Sequence, residues 1–340
     1  MRLPACLLVT VVICGGLTTR PARESSPQSF VFFNLDRHRI AETSFLENAN
    51  IAGAQVKYTW RELEPERDLY DLEPLFEDLT FLERHGKRLF VQLQDVSFDE
   101  RINVPDYLID PEFGGGVARK YEVDEDDDAP PEFDGWVARR WDPAVIARLA
   151  KLLQALGDHL DGRIEGINLA ETSIAFGNRD ELRPSGYSPE AYANGVRATM
   201  SAARNAFSES RVIQYANFMP GEWLPWEDHG YLRGVYAHAE RIGVGVGGPD
   251  LLPFRAGQRN HSHKLIAARA AHVMAGLAVQ DGNLDEIDPA TGSPVTIERL
   301  YRYASDSLRL DYLFWGTQEP HYSTGVVPFI RALPEKEDGR

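Results

Sequence analysis

From Phe30 onward, short apolar runs alternate with stretches whose apolar residues recur at helical spacing. Read by period, the strand-like runs are Phe30–Leu35, Gly53–Trp60, Arg88–Gln94, Arg163–Phe176, Arg211–Ala216, Ile242–Gly247, Met274–Gln280 and Asp311–Trp315. Helical patterns cover Glu42–Asn50, Leu72–His85, Pro143–Leu160, Pro189–Phe207, Tyr231–Arg241, His263–Ala271 and Ile297–Leu308. In the second of these, Leu72, Leu75, Phe76, Leu79 and Leu82 mark one face. A long insertion, 95–141, parts the third strand from its helix. Eight βα units in sequence predict an α/β fold, a closed single-domain (β/α)8 TIM barrel over residues 30–333, followed by a polar tail, 334–340. An open doubly wound sheet is the alternative, but it usually carries a Gly-rich phosphate loop after its first strand. The one Gly-rich strand end, Gly243–Gly248, alternates Gly with Val and reads as a strand packed tightly inside a barrel.

Period-2 alternation assigns faces. In the third strand Leu89, Val91 and Leu93 oppose Phe90, Gln92 and Gln94; in the second, Ala54, Val56 and Tyr58 oppose Gln55, Lys57 and Thr59. In the fifth, Gln214 sits between Val212 and Ala216. In the seventh, Gly276, Ala278 and Gln280 oppose Leu277 and Val279. Apolar faces should meet the helices, so the polar and small faces converge on the axis. The expectation is an interior rich in glutamine near its C-terminal mouth. Buried amides need hydrogen-bond partners, so they either satisfy one another or hold something polar.

The segment RIEGINLAETSIAF, Arg163–Phe176, delivers Asn168 and Glu171 to the end of the fourth strand. A carboxylate just past a parallel strand is where barrel enzymes place catalytic groups; the plainer reading is an N-cap or surface acid. Other strand ends are similarly furnished. They carry Trp60, Gln94, Asn217 with Trp223 and Trp226, Asp250, Gln280 with Asp281, and Trp315 with Gln318, Glu319 and Tyr322. Indoles stack on pyranose rings, and amides and carboxylates bond hydroxyls, so this mixture suits an oligosaccharide or polysaccharide. The expected binding set is Trp60, Gln94, Asn168, Asn217, Trp223, Asp250, Gln280, Trp315, Gln318 and Tyr322. A phosphate ligand would call for clustered Arg, Lys or helix N-termini. With 36 Lys and Arg against 52 Asp and Glu, the formal charge of −16 argues against nucleic acid or an anionic membrane as partner.

The stretch GAQVKYTWRELEPERDLYD, Gly53–Asp71, followed by Gly86–Val91, resembles the second-strand region of clan A glycoside hydrolases. That resemblance implies an eight-unit barrel acting on glycans. It also implies a general acid/base Glu directly after an Asn at the fourth strand end, and a nucleophilic Glu at the seventh. Glu171 takes the first position, although Ala170 precedes it and the Asn is Asn168. At the seventh, Gln280-Asp281 replaces the Glu, and Glu319 beyond the eighth strand is the other acid within reach. Trp315 matches an aromatic of that clan. The expected reaction is glycosidic hydrolysis in which Glu171 protonates the leaving oxygen and Asp281 or Glu319 acts as nucleophile or base. A carbohydrate-binding barrel without catalysis is the alternative.

No cofactor or metal is expected. His261 and His263 have ligand spacing but precede a helix, and the acidic run Glu122–Asp128 reads as a solvated loop rather than a calcium site. Arg139-Arg140-Trp141, closing the insertion, pairs with those acids or lines the cleft. Residues 1–29 read as a signal peptide and flexible lead-in: Arg2, an apolar Leu7–Ile13, then Gly15-Gly16. The apolar run is too short to span a membrane comfortably, and bulky Ile13 disfavours lipidation at Cys14. Cys6 and Cys14 are the two cysteines, so a chain cut between 15 and 30 would be thiol-free and exported, periplasmic or secreted.

Overall fold

The computed structural model describes residues 26–34, 36–123 and 130–334. Residues 1–25 of the lead-in with both cysteines, the tail past 334, and most of the acidic run lie outside the described residues. Strands β1 (Gln28–Phe32), β2 (Ile51–Thr59), β3 (Arg88–Gln94), β4 (Gly166–Leu169), β5 (Arg211–Tyr215), β6 (Gly245–Gly248), β7 (Ala275–Val279) and β8 (Tyr312–Gly316) form a closed, parallel, eight-stranded barrel. β1 pairs β8 from Gln28↔Tyr312 to Phe32↔Gly316, which shuts the sheet. The first strand begins at Gln28, so the lead-in ends two residues earlier than its sequence pattern indicates.

The alternation sorts into two cores. Val56, Tyr58, Leu89, Val91, Leu277, Leu313 and Trp315 point outward into the layer shared with the helices. Phe30, Phe32, Phe90, Ile213, Tyr215, Ala278, Tyr312 and Phe314 fill the axis. Phe90 stands edge-on to Tyr312 at 4.9 Å and to Phe314 at 5.1 Å, a favoured aromatic geometry. Glycine makes room for this plug: a Cβ on Gly166 would lie 2.4 Å from the Phe90 ring, and one on Gly276 2.9 Å from that of Phe314. The axis is filled by aromatic rings, and the buried amides on its inner face are Gln55, Gln92, Gln94 and Asn168. Gln214 is a correction. Ile213 and Tyr215 take the inside of β5, so Gln214 faces the helices with Val212, and its Nε2 donates to the Ala170 carbonyl at 2.8 Å.

Four long helices cover one side: α1 (Glu73–Arg84), α2 (Pro143–Leu160), α3 (Pro189–Ala206) and α4 (Tyr231–Ile242). α2 and α3 start at clear signals, Pro at the first position behind the caps Asp142 and Ser188, whose side chains accept from Ala144 N and Ala191 N. Shorter helices, Lys264–Arg269, Ile297–Arg302 and Val327–Arg331, cover the rest. The pattern at 42–50 yields only one turn, Thr43–Leu46, after a 3-10 turn at Arg37–Ala41. The 95–141 insertion contains a hairpin, Val117–Tyr121 with Phe133–Ala138. It is tied to the end of β3 by Ser97 N to the Trp136 carbonyl at 2.8 Å and Ala138 N to the Asp95 carbonyl at 2.9 Å. Among the described residues no helix is long and apolar enough to cross a membrane.

Candidate functional site

Glu171 stands two residues beyond β4 in a turn that is held from three directions. Thr172 N donates to the Tyr215 carbonyl at 3.0 Å, and Thr172 Oγ1 to the Phe218 carbonyl at 2.6 Å. Tyr192, from α3, donates its hydroxyl to the Thr172 carbonyl at 3.1 Å. Arg140 Nη1 donates to the Glu171 carbonyl at 2.5 Å and to Tyr192 Oη at 2.9 Å. The same guanidinium grips Asp95 at the end of β3, Nε to Oδ2 at 2.8 Å and Nη2 to Oδ1. Both partners are buried, and such a two-pronged pair fixes orientation as well as charge. One arginine thus joins the end of β3, the insertion and the turn carrying Glu171.

The Glu171 carboxyl accepts from Asn217 Nδ2 at 2.7 Å, and Asn217 Oδ1 accepts from Ser173 N at 3.1 Å, which fixes which way the amide faces. Burial pushes the Glu171 carboxyl up; the Asn217 hydrogen bond pulls down, the charge of Asp250 adds to the rise, and Lys120 and Arg140 oppose it, leaving it at about 7. A group of that kind is an acid near neutral pH. Asp250, at the end of β6, accepts at Oδ1 from Gln280 Nε2 at 2.8 Å and Asn283 Nδ2 at 2.9 Å. Two lysines belong to the same neighbourhood. Lys57, on the inner face of β2, has its proton affinity lowered by burial against the opposing pull of Glu171. Lys120, from the insertion hairpin, is lowered by burial while Asp134, 3.0 Å away, pulls the other way.

Beneath this rim, Gln92 and Asn168 are register partners on the inner face. Gln92 Oε1 and both Asn168 side-chain atoms have no protein partner among the described residues. Gln94 ends β3 on the same face. Gln318 accepts from Gly282 N at 2.8 Å and donates to Asp285 at 2.9 Å, on the outer rim. Trp223 is half-exposed, stacked on Phe218 with planes 4° apart and centroids 5.7 Å apart, and Trp226 is 74% exposed beside it in the loop after β5.

Other expected contacts are placed elsewhere. Trp60 is fully buried, opening a turn after β2 with Nε1 donating to Glu64 at 2.8 Å. Trp315 is fully buried in the helix-facing layer and donates to Ser29 Oγ at 3.3 Å. Strand parity decides the latter: Tyr312 and Phe314 take the inside of β8, so Trp315 cannot. Tyr322 is buried under the Arg39 guanidinium, 4.9 Å from its ring centroid. None of these three offers a face to a sugar. Glu319 is bound by Arg39 at 2.7 Å and by Ser323 Oγ at 2.6 Å; burial works against ionisation there, but these bonds hold it below its ordinary value. Asp281 is exposed. His261 accepts from Leu224 N at 2.9 Å, and His263, held at about 4 by burial, contacts the Asp250 carbonyl at 3.1 Å, so each ring has a structural partner.

Lys57, Lys120, Asp95 and Tyr192 were not in the expected site, whereas Arg140 was expected either to pair with the acidic run or to line the cleft, and it joins Asp95 to the Glu171 carbonyl. Lys57 was legible, since it shares the inner parity of Gln55. Lys120 lies in an insertion without periodicity, and Tyr192 is one apolar-face residue of a helix; nothing local marks them.

Comparison of the sequence with family profiles and with curated proteins gave no match. Among solved structures, GH5_18 from Bifidobacterium longum subsp. longum superposes with TM-score 0.54 at 12% identity, covering 90% of this chain and 73% of that one. GH5_18 from Streptomyces cattleya, in complex with GlcNAc, gives 0.50 at 14% identity, covering 86% and 70%. A variant of the latter protein in complex with Manβ1-4GlcNAc gives 0.53 at 14%, covering 85% and 70%. The fold is shared with glycoside hydrolase barrels.

Proposed function

We propose that this chain hydrolyses a glycosidic bond, with Glu171 as the acid that protonates the leaving oxygen. The observation that carries it is a carboxyl raised to about 7, pinned by Asn217 beyond the end of β4 at the mouth of the barrel. An acid still protonated near neutrality can give its proton to a departing alkoxide; an ordinary surface Glu cannot. Arg140 and Tyr192 hold its turn so that the proton is delivered at a fixed position. Exposed Trp223 and Trp226 supply faces for sugar rings, and the barrels of like fold described with GlcNAc or Manβ1-4GlcNAc point the same way. On the leader-like sequence alone, we place the activity outside the cytoplasm.

The test is a panel of manno-, xylo-, cello- and chito-oligosaccharides with the full chain. Glu171→Gln keeps shape and loses the proton, so hydrolysis should fall by about 10²–10⁴-fold while binding, measured calorimetrically, stays within about threefold. A wild type that binds members of the panel and cleaves none would favour the second reading, a binding barrel. Its specific support is Gln280, an amide where the resembled barrels place their nucleophile.

A further inference from the structure

We propose that Asp250, at the C-terminal end of β6, is the second carboxylate of the reaction, acting as base toward water. This rests on the hydrolase reading of Glu171. Three acids on the rim compete for the role. Glu319 is consumed: Arg39 takes Oε1, and Ser323 takes Oε2 through both its hydroxyl and its amide. Asp281 is exposed, and no hydrogen bond or ion pair among the described residues holds its carboxylate in place. Asp250 alone is both fixed and open. Its Oδ1 takes the amides of Gln280 and Asn283, Asn283 is itself locked by Leu251 N at 3.0 Å, and Oδ2 has no partner among the described residues.

Its position relative to Glu171 fits one mechanism. β4 and β6 are separated by β5 alone, so their axes lie about 9–10 Å apart at roughly 4.8 Å per strand. That spacing is of the order of the roughly 6.5–9.5 Å gap between carboxyls that leaves room for a water. Asp250 also stands near enough that its charge adds to the rise at Glu171. Gln280 cannot form a glycosyl ester; it steers Asp250 instead. In the single displacement that follows, Asp250 Oδ2 takes a proton from water as the water oxygen bonds the anomeric carbon. The bond from that carbon to the glycosidic oxygen breaks, and Glu171 gives its proton to that oxygen. The proton on Asp250 then returns to Glu171 through solvent.

The experiment uses the full chain with the same oligosaccharides and matching aryl glycosides. Asp250→Asn should lower hydrolysis by about 10²–10⁴-fold, whereas Asp281→Asn and Glu319→Gln should keep it within about threefold. The wild-type product should emerge with inverted anomeric configuration by NMR. Azide should restore turnover to Asp250→Ala, giving a glycosyl azide of inverted configuration. A second readout needs no turnover: the carbon-13 titration of Glu171, assigned by its loss in Glu171→Gln, should move to lower pH in folded Asp250→Asn and stay in Asp281→Asn. An unmoved titration, a retained product, or an active Asp250→Asn beside an active wild type overturns Asp250 and leaves Glu171 standing. A wild type inactive on every member overturns both.

Discussion

Glu171 binds its proton more tightly in the folded chain than a free glutamate does, and the sign of the consequence can be worked out. Its folded value is about 7 against an ordinary 4.5, so the folded state is favoured while the group is protonated. That contribution is full below about 4.5, is lost as pH climbs toward 7, and is flat beyond. At about 1.4 kcal/mol per unit the loss is on the order of 3 kcal/mol. Glu171→Gln cannot ionise and should show no such loss. Urea melts at pH 4 and pH 8 should therefore differ by about that amount more in wild type than in the variant; equal differences would mean the carboxyl is not buried as described. Legibility at this scale was uneven. Glu171 and Asn217 were marked by their places after strands. The burial that raises one and the amide that pins it come from a neighbouring strand and a distant hairpin, which local pattern does not encode. Trp315 shows the converse: its residue type suits a sugar site, but parity with Leu313 turns it into the helix layer.

The elements were the legible part, since a 2-residue and a 3.6-residue period are physical consequences of pleat and helix. β3 and α2 stand where their periods put them, Arg88–Gln94 and Pro143–Leu160. Ile242–Gly247 slid to Gly245–Gly248 because Ile242 is the last turn of α4, which Gly243 closes with φ 71°. The insertion had no period, and apart from its closing Arg139-Arg140-Trp141 it stayed opaque, yet it supplies both Arg140 and Lys120. Its anchoring can be tested through α3. A Cβ on Gly195 would lie 1.6 Å from the Arg140 carbonyl oxygen, a backbone atom that cannot step aside. Gly195→Ala should cost about 3 kcal/mol. It should also cut turnover at least tenfold, because the displaced arginine holds the Glu171 carbonyl. Gly157→Ala is the control. There the clash, 2.2 Å, is with the Ala206 carbonyl, between α2 and the end of α3. Stability should fall with turnover per folded molecule unchanged. Parallel losses of turnover in both variants, measured by thermal melts and initial rates, would dissociate Arg140 from the site.

At the scale of the whole molecule, closure is the property on which everything else depends, and a five-residue strand provides it. β1 pairs β8 on one side and β2 on the other, Phe30 enters the aromatic plug, and Ser29 accepts from Trp315. Without β1 the barrel would expose two long unpaired edges, a template for aggregation, and a hole where Phe30 and Phe32 had been. The marginal stability of a folded domain, about 5–15 kcal/mol, does not survive such a loss. A chain of residues 26–334 keeps every pair of β1 and should still melt cooperatively, with a near-UV circular dichroism signal. One of residues 34–334 should be insoluble or lack near-UV circular dichroism. The same limit bears on export. Cleavage anywhere from 15 to 27 would spare β1, whereas cleavage at 30 would remove Gln28 and Ser29 and with them the first pairs of the seam. Processing, if it occurs, should thus end before Gln28, and the N-terminal residue found by mass analysis of the exported protein should lie between 15 and 28. A folded, active chain beginning at Asn34 would show that the barrel closes without β1 and would remove this limit.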